Sequence, residues 1–135
     1  MELFNEEGLL NPGFSEYKLE EIEKIFVKEF SESQTRSNIY NGFLIWLKHL
    51  LNICIPNEIW LDGSFVTNKI NPNDLDLACF IEINDYVNNT TEINRLRQLG
   101  LQNHCDVYMA FSPNPLLPPK LIGEFTNKRK YWRGQ

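Results

Sequence analysis

One stretch of the chain, residues 61–81, constrains the fold more than any other. A short apolar run leads into Gly63-Ser64, a polar loop with a proline follows, and two aspartates one residue apart then open a second apolar run. Side chains alternate between the two faces of an extended strand, so Asp74 and Asp76 are predicted to lie on one face. The stretch therefore predicts two strands joined by a turn, with a pair of carboxylates at the start of the second strand.

These residue types indicate phosphate chemistry. Two adjacent carboxylates repel each other unless a cation lies between them. Oxygen ligands of this kind suit Mg²⁺, which keeps several waters and usually shares its other positions with substrate phosphates. The Gly63-Ser64 turn supplies the complementary half of such a site, because small residues and free backbone N–H groups let phosphate oxygens approach closely.

The order Gly63-Ser64, nine residues, Asp74-x-Asp76 resembles the signature of the nucleotidyltransferase superfamily that includes DNA polymerase beta. It is most similar to the small minimal nucleotidyltransferase proteins of bacteria. The longer form, Gly-Ser-Phe-Val-Thr-x-Lys-x-x-Pro-x-Asp-x-Asp, also resembles a bacterial family of uncharacterised proteins with this domain. The resemblance covers residues 58–111, which is under half of the chain.

The resemblance implies an α+β fold, in which helices pack on a small mixed β-sheet. It also implies a reaction that moves a nucleoside monophosphate from a nucleoside triphosphate such as ATP to an acceptor. Asp74 and Asp76 would hold two Mg²⁺ ions, with Mn²⁺ as the alternative. Asp106 opens a later apolar run, which is the place of a third carboxylate that binds metal and accepts the proton of the attacking hydroxyl. The candidate nucleotide-binding residues are Gly63, Ser64 and Lys69.

Plainer interpretations remain open beside these. An aspartate at a strand end, such as Asp106, and a loop lysine, such as Lys69, are both typical of solvated positions. The chain itself is either an enzyme that modifies a protein or RNA acceptor, or an antitoxin-like binding module that keeps the fold and regulates a partner without turnover. Related small nucleotidyltransferases occur in toxin–antitoxin pairs, so the resemblance implies a cognate partner protein in either case.

Hydrophobic periodicity predicts the other elements of the chain. The predicted helices are residues 15–31, 36–51, 90–99 and one that begins near residue 121, with Thr90 as a cap and Gly100 as a stop. The predicted strands are residues 58–62, 75–83 and 105–111. They form a single domain over residues 1–135, with N-terminal helices in 15–51, the catalytic sheet region in 58–111 and a basic tail in 120–135. The helix residues predicted to be buried include Leu19, Ile22, Phe26, Phe30, Ile39, Phe43, Leu47, Leu50 and Leu51.

Charge is unevenly distributed along the chain, whose net charge is −5. Residues 1–32 carry nine acidic side chains against three lysines, whereas residues 120–135 carry five cations against one glutamate. This asymmetry argues against nucleic-acid binding by the whole surface. The stretch Lys128–Arg133 mixes cations with aromatic rings, which suits an RNA strand or a triphosphate. The alternative is a solvated terminal helix with one aromatic face on the core.

Composition argues against a membrane protein, a secreted protein and a cysteine metal site. No apolar run approaches the length of a membrane span, and the acidic start has the wrong charge for a signal peptide. The protein is therefore expected to be cytoplasmic, without a membrane partner. Cys54, Cys79 and Cys105 lack metal-binding spacing and lie in apolar stretches, which predicts buried thiols and no disulfide.

Overall fold

The computed structural model describes residues 18–111, in which helices and strands are mixed along the chain. The helices are α1 (Leu19–Glu23), which continues as a π-helical turn (Lys24–Lys28), α2 (Arg36–Leu51), α3 (Ile83–Asn88) and α4 (Thr90–Gln102). The strands are β1 (Glu58–Asp62), β2 (Leu75–Ile81) and β3 (Cys105–Phe111), and a 3₁₀ turn (Ser64–Val66) follows β1. The protein therefore has the α+β fold with a small sheet that the sequence predicts.

The three strands form one mixed sheet in the order β1-β2-β3. β1 runs antiparallel to β2, and β3 runs parallel to β2. β2 is thus the central strand, and its residues from Leu77 to Ile81 are fully buried. A strand that is buried on both faces needs a continuous apolar run, which explains the sequence Leu77-Ala-Cys-Phe-Ile81.

Helices α2 and α4 cover one face of this sheet. Leu77, Cys79 and Val107 point to that face and belong to the main hydrophobic cluster, together with Trp46 of α2 and Leu96 of α4. The indole N–H of Trp46 donates to the carbonyl oxygen of Leu96 at 3.0 Å, so a direct hydrogen bond joins the two helices. The opposite face carries the aspartates described below.

The predicted bounds of α2, β1 and β3 are confirmed to the residue. The prediction of a first helix ending at Ser31 is wrong, because α1 ends at Glu23 and the π-helical turn that continues it ends at Lys28. The predicted cap at Ser15, the helix predicted near residue 121 and the basic tail lie outside the described residues.

The predicted end of β2 at residue 83 is also wrong. Ile83 begins α3, a helix of six residues. So short a helix shows too little periodicity to be distinguished from the strand before it, and the sequence pattern of β2 therefore continues through Ile83.

The start of α4 at Thr90 agrees with the prediction, whereas the predicted cap at Thr90 and the predicted end before Gly100 are wrong. Asn89 precedes the helix, and the Thr90 hydroxyl donates instead to the carbonyl oxygen of Tyr86 at 2.8 Å. At the other end the helix passes through Gly100 to Gln102. A Cβ on Gly100 would overlap with the side chain of Val107, so this glycine lets α4 approach β3 and does not end the helix.

Burial follows the prediction with three exceptions. Leu19 and Leu51 are 43% and 51% exposed, because each lies at the end of its helix. Phe30 is only partly buried. The three thiols are buried and free, as predicted. Burial raises the pKa of the Cys79 and Cys105 thiols to about 12, which keeps them protonated and unreactive.

Candidate active site

A row of three aspartates crosses the sheet at one end. β1 ends at Asp62, whereas Asp76 and Asp106 are the second residues of β2 and β3. Because β1 is antiparallel to β2 and β3 is parallel to it, Asp62 and Asp106 are both register partners of Asp76. Register partners point to the same face, and neighbouring strands lie about 4.8 Å apart. The three carboxylates, which we call the aspartate row, are therefore neighbours on one face of the sheet.

Asp74 adds a fourth carboxylate beside the row. β2 begins at Leu75, so Asp74 lies in the loop just before the strand and is exposed, whereas Asp76 is half-buried. The negative charge of Asp74 nevertheless acts on Asp76 and raises its pKa. The structure thus brings together the three carboxylates that the sequence singles out, and their roles stay predictions.

Beyond the row, the same face of the sheet is apolar. Trp60, Ala78, Phe80 and Ala110 form a second buried cluster, in which the ring centroids of Trp60 and Phe80 are 5.1 Å apart. Trp60 precedes Asp62 by two residues and Ala78 follows Asp76 by two, so the carboxylates and this cluster share a face. The aspartate row thus lies at the edge of an apolar surface, which reduces its contact with water.

Two carboxylates of the row, Asp76 and Asp62, have a raised pKa. Burial is the largest of the causes that raise the pKa of Asp76 to about 6, and repulsion by neighbouring carboxylates adds to it. Those neighbours are Asp74, Asp106 and Asp62. Asp62 is only 8% exposed, and burial raises its pKa, whereas a hydrogen bond from the Gly63 backbone N–H lowers it. Carboxylates in this condition favour a proton or a cation in their midst.

Gly63 joins the two halves of the sequence motif. Its φ of 80° and ψ of −166° lie in a region that only glycine adopts readily. A Cβ at this position would overlap with the carboxylate of Asp76. The backbone of the turn therefore lies directly against Asp76, and this contact requires both the glycine and the spacing of the motif.

Ser64 begins the 3₁₀ turn next to this contact. Its carbonyl oxygen accepts hydrogen bonds from the backbone N–H of Thr67 at 3.2 Å and from the Thr67 hydroxyl at 2.7 Å. The Thr67 hydroxyl oxygen accepts in turn from the Lys69 N–H at 3.2 Å. Within residues 18–111 the Ser64 hydroxyl has no hydrogen-bond partner, and the Lys69 side chain is exposed. The loop is thus held by its own hydrogen bonds, and these two side chains are available to a ligand.

Two residues near the site lie outside the predicted set. Asp62 ends an apolar strand directly before Gly63, and this position resembles those of Asp76 and Asp106, so a sequence signal was present. Arg36 gave no signal, because a cation at the start of an amphipathic helix is typical of a solvated position. Its side chain is in fact 0% exposed, and it binds the loop that follows the 3₁₀ turn.

The donor set suits a hard divalent cation. Within residues 18–111, no group of three or more His, Cys, Asp and Glu side chains is arranged to hold a metal ion. Mg²⁺ does not require such a cage, since it is usually bound through one or two carboxylates, with waters and substrate phosphates as its other ligands. Asp74 and Asp76 fit this requirement, because both supply oxygen, and burial together with repulsion by neighbouring carboxylates raises the pKa of Asp76.

Each helix in residues 18–111 is too short or too polar to cross a membrane.

Comparison with known proteins identifies the family of the chain. It belongs to the family of unknown function DUF6932, which it matches over residues 2–135. A search of curated proteins and a search of solved structures each found no match. The argument for a function therefore depends on the residues of the site.

Proposed function

We propose that this member of DUF6932 is a Mg²⁺-dependent nucleotidyltransferase. It would move a nucleoside monophosphate from a nucleoside triphosphate to a hydroxyl group of a protein or RNA. The observation that carries the proposal is the contact between Gly63 and the Asp76 carboxylate. A turn suited to phosphate thus lies against a carboxylate that belongs to a row, and phosphate transfer needs these two parts side by side.

Asp74 and Asp76 are the residues that would hold Mg²⁺, with Mn²⁺ as the alternative. When bound, the metal supplies neutralisation of the triphosphate charge and a lowered pKa of the acceptor hydroxyl. A pKa of about 6 leaves Asp76 mostly ionised at neutral pH, so its oxygens are available as ligands. Its position between Asp62 and Asp106 fixes it at the centre of the row.

Asp106 is the candidate general base. It is exposed at the start of β3 and lies next to Asp76, so an acceptor hydroxyl can reach it from solvent. In the proposed step the acceptor oxygen forms a bond to the α-phosphorus, and the bond from that phosphorus to the bridging oxygen breaks. Pyrophosphate leaves with the electron pair of that bond, and the hydroxyl proton passes to the Asp106 carboxylate.

Ser64 and Lys69 are the candidate ligands of the leaving phosphates. The Ser64 hydroxyl has no partner among the described residues and lies one residue from the Gly63–Asp76 contact. Lys69 carries a positive charge on an exposed side chain of the same loop. Hydrogen bonds from such groups to phosphate oxygens are charge-assisted and therefore strong.

Transfer of label tests this proposal. The protein is incubated with α-labelled nucleoside triphosphates, Mg²⁺ and cell extract, and label on protein and RNA is measured. We expect transfer by the wild type and a loss of about a hundredfold or more in Asp76→Asn and in Asp106→Asn. Asp85→Asn is the matched control, because it removes a carboxylate from α3, at the opposite end of β2. If all four proteins leave the extract unlabelled, the enzyme proposal fails, and a binding module that regulates a partner without turnover takes its place.

A further inference from the structure

Arg36 is buried at the start of α2, and every N–H group of its guanidinium donates to a main-chain carbonyl oxygen. Its Nη1 donates to the carbonyls of Phe26 at 2.8 Å and Phe65 at 2.6 Å. Its Nη2 donates to Thr67 at 2.8 Å and Lys69 at 2.6 Å, and its Nε also donates to Lys69, at 3.1 Å. These bonds match the five N–H groups of a guanidinium, so its hydrogen-bonding capacity is used in full.

Among the described residues, no carboxylate forms a salt bridge with Arg36. The salt bridge found there joins Lys28 and Glu23. The guanidinium lies instead over the Phe30 ring, 3.7 Å from its centroid, and 5.2 Å from the centroid of Phe65. Carbonyl dipoles and aromatic faces therefore stabilise the cation. Burial lowers the pKa of Arg36 to about 10, which leaves it charged at neutral pH.

A second set of hydrogen bonds holds the same loop at Asn71. The Asn71 side-chain oxygen accepts from the Gln34 N–H at 2.7 Å and from the Ser33 hydroxyl at 3.5 Å. The Ser33 oxygen accepts in turn from the Arg36 N–H at 3.1 Å. The loop between the 3₁₀ turn and β2 is thus bound to Arg36 through Thr67 and Lys69, and to the turn before α2 through Asn71.

The direction of the three loop carbonyls matters for an anion. The oxygens of Phe65, Thr67 and Lys69 point to the guanidinium, so they do not face a ligand on the other side of the loop. A carbonyl oxygen that faces a phosphate repels it, whereas N–H groups and cations attract it. Arg36 therefore removes three repulsive dipoles from the ligand side while it fixes the loop beside Gly63.

We propose that Arg36 is a positioning residue of the candidate site, which holds residues 65–69 so that Ser64 and Lys69 can bind the phosphates of a nucleotide. This role rests on the proposed function. It acts through the loop, since Arg36 is fully buried and itself reaches no substrate.

Arg36→Lys tests the proposal, because lysine keeps the charge but its three donors on one nitrogen cannot serve four separate carbonyls. Arg95→Lys, on an exposed position of α4, is the matched control. Calorimetry measures the affinity for Mg²⁺-ATP and for Mg²⁺ alone, and hydrogen exchange measures the protection of the amides. We expect Arg36→Lys to lower the affinity for Mg²⁺-ATP about tenfold or more and to change the affinity for Mg²⁺ alone by less than about twofold. The amides of residues 65–70 should lose protection against hydrogen exchange, whereas those of β2 should keep it. Arg95→Lys should match the wild type.

Either of two results overturns the positioning role. The first is an unchanged affinity of Arg36→Lys for Mg²⁺-ATP. The second is a loss of affinity for both Mg²⁺-ATP and Mg²⁺ alone, with a loss of amide protection throughout the sheet, which would indicate a general structural role. If Arg36→Lys does not fold, the same measurements on Asn71→Ala test the role of the loop, since this substitution removes only the exposed hydrogen bonds of the Asn71 side chain. Wild-type protein that binds no Mg²⁺-ATP refutes the proposed function and this role with it, whereas wild-type binding that both variants retain refutes this role alone.

Discussion

Within residues 18–111, the charges of Arg36 and Asp76 are both shielded from water but are balanced in opposite ways. All the donors of Arg36 are bonded to main-chain oxygens of the chain itself. Asp76 lies half-buried among further carboxylates, and burial and their repulsion raise its pKa to about 6. The first charge is satisfied inside the protein, whereas the second requires a proton or a cation from outside. We therefore expect Arg36 to stabilise the architecture of the site, and we expect the aspartate row with Asp74 to provide its chemistry.

The largest change in stability is expected from Arg36→Met. The substitution keeps much of the side-chain volume but removes the guanidinium hydrogen bonds to four carbonyl oxygens, two in a buried and two in a partly buried environment. We expect the free energy of unfolding to fall by about 3–5 kcal/mol, measured by urea denaturation. The control Arg95→Met should stay within about 0.5 kcal/mol of the wild type. A loss below about 1 kcal/mol would show that Arg36 does not hold the loop.

Gly63→Ala should have an intermediate effect. Alanine is strained at a φ of 80°, and its Cβ would overlap with the Asp76 carboxylate. We expect a destabilisation of about 1–3 kcal/mol. Combining it with Asp76→Ala should reduce this value, because the group that the Cβ meets is then absent. Equal destabilisation in both backgrounds would mean that Gly63 and Asp76 do not contact each other. Ser64→Ala serves as the control and should change stability by less than about 0.5 kcal/mol.

Unlike Arg36→Met, Asp76→Asn should not lower the stability of the protein. Without metal it relieves repulsion from Asp74, Asp106 and Asp62, so in EDTA the variant should melt no lower than the wild type. Added Mg²⁺ should then raise the melting temperature of the wild type more than that of the variant. A clear destabilisation of Asp76→Asn in EDTA would mean that this aspartate is structural, and the contrast with Arg36 would disappear.

The smallest expected effect is a dependence of stability on pH. The pKa of Asp76 is raised from 3.8 to about 6 in the folded protein, so the folded state binds its proton more tightly than the unfolded chain does. Its contribution to stability is complete below about pH 4 and is lost as the pH rises through about 6. In EDTA, Asp76→Asn should therefore melt close to the wild type near pH 4 and above it near pH 7.5. A gap that does not change with pH would contradict the raised pKa.

Local patterns were sufficient to predict much of the fold. The apolar stripe of α2 and the short runs of β1 and β3 are dense enough to define their ends. The end of β2 was not predictable from its own residues, because Ile81-Glu82-Ile83 alternates apolar and polar side chains as a strand does, although Ile83 begins a helix. The role of Gly100 also depends on a tertiary contact, since Val107 packs where a Cβ would otherwise lie, and the sequence around the glycine does not show this contact.

The candidate site was predictable only in part. The closeness of Asp76 and Asp106 follows from their equivalent places on two strands, and parallel pairing brings them into register. Asp62 joins them because β1 pairs antiparallel with β2, and the chain order alone does not show this pairing. Arg36 depends on long-range contacts, since three of its carbonyl partners lie 29, 31 and 33 residues away. No periodicity near Arg36 indicates such partners.

The central claim is that Asp74 and Asp76 bind a metal-bound nucleotide. Calorimetric titration with ATP in the presence of Mg²⁺ tests this claim most directly, because no acceptor is needed. We expect the wild type and Asp85→Asn to bind with similar affinity. EDTA should abolish the binding heat, and Asp76→Asn should bind about tenfold more weakly or not at all. Absence of binding by the wild type, or equal binding by the wild type and Asp76→Asn, would contradict the claim.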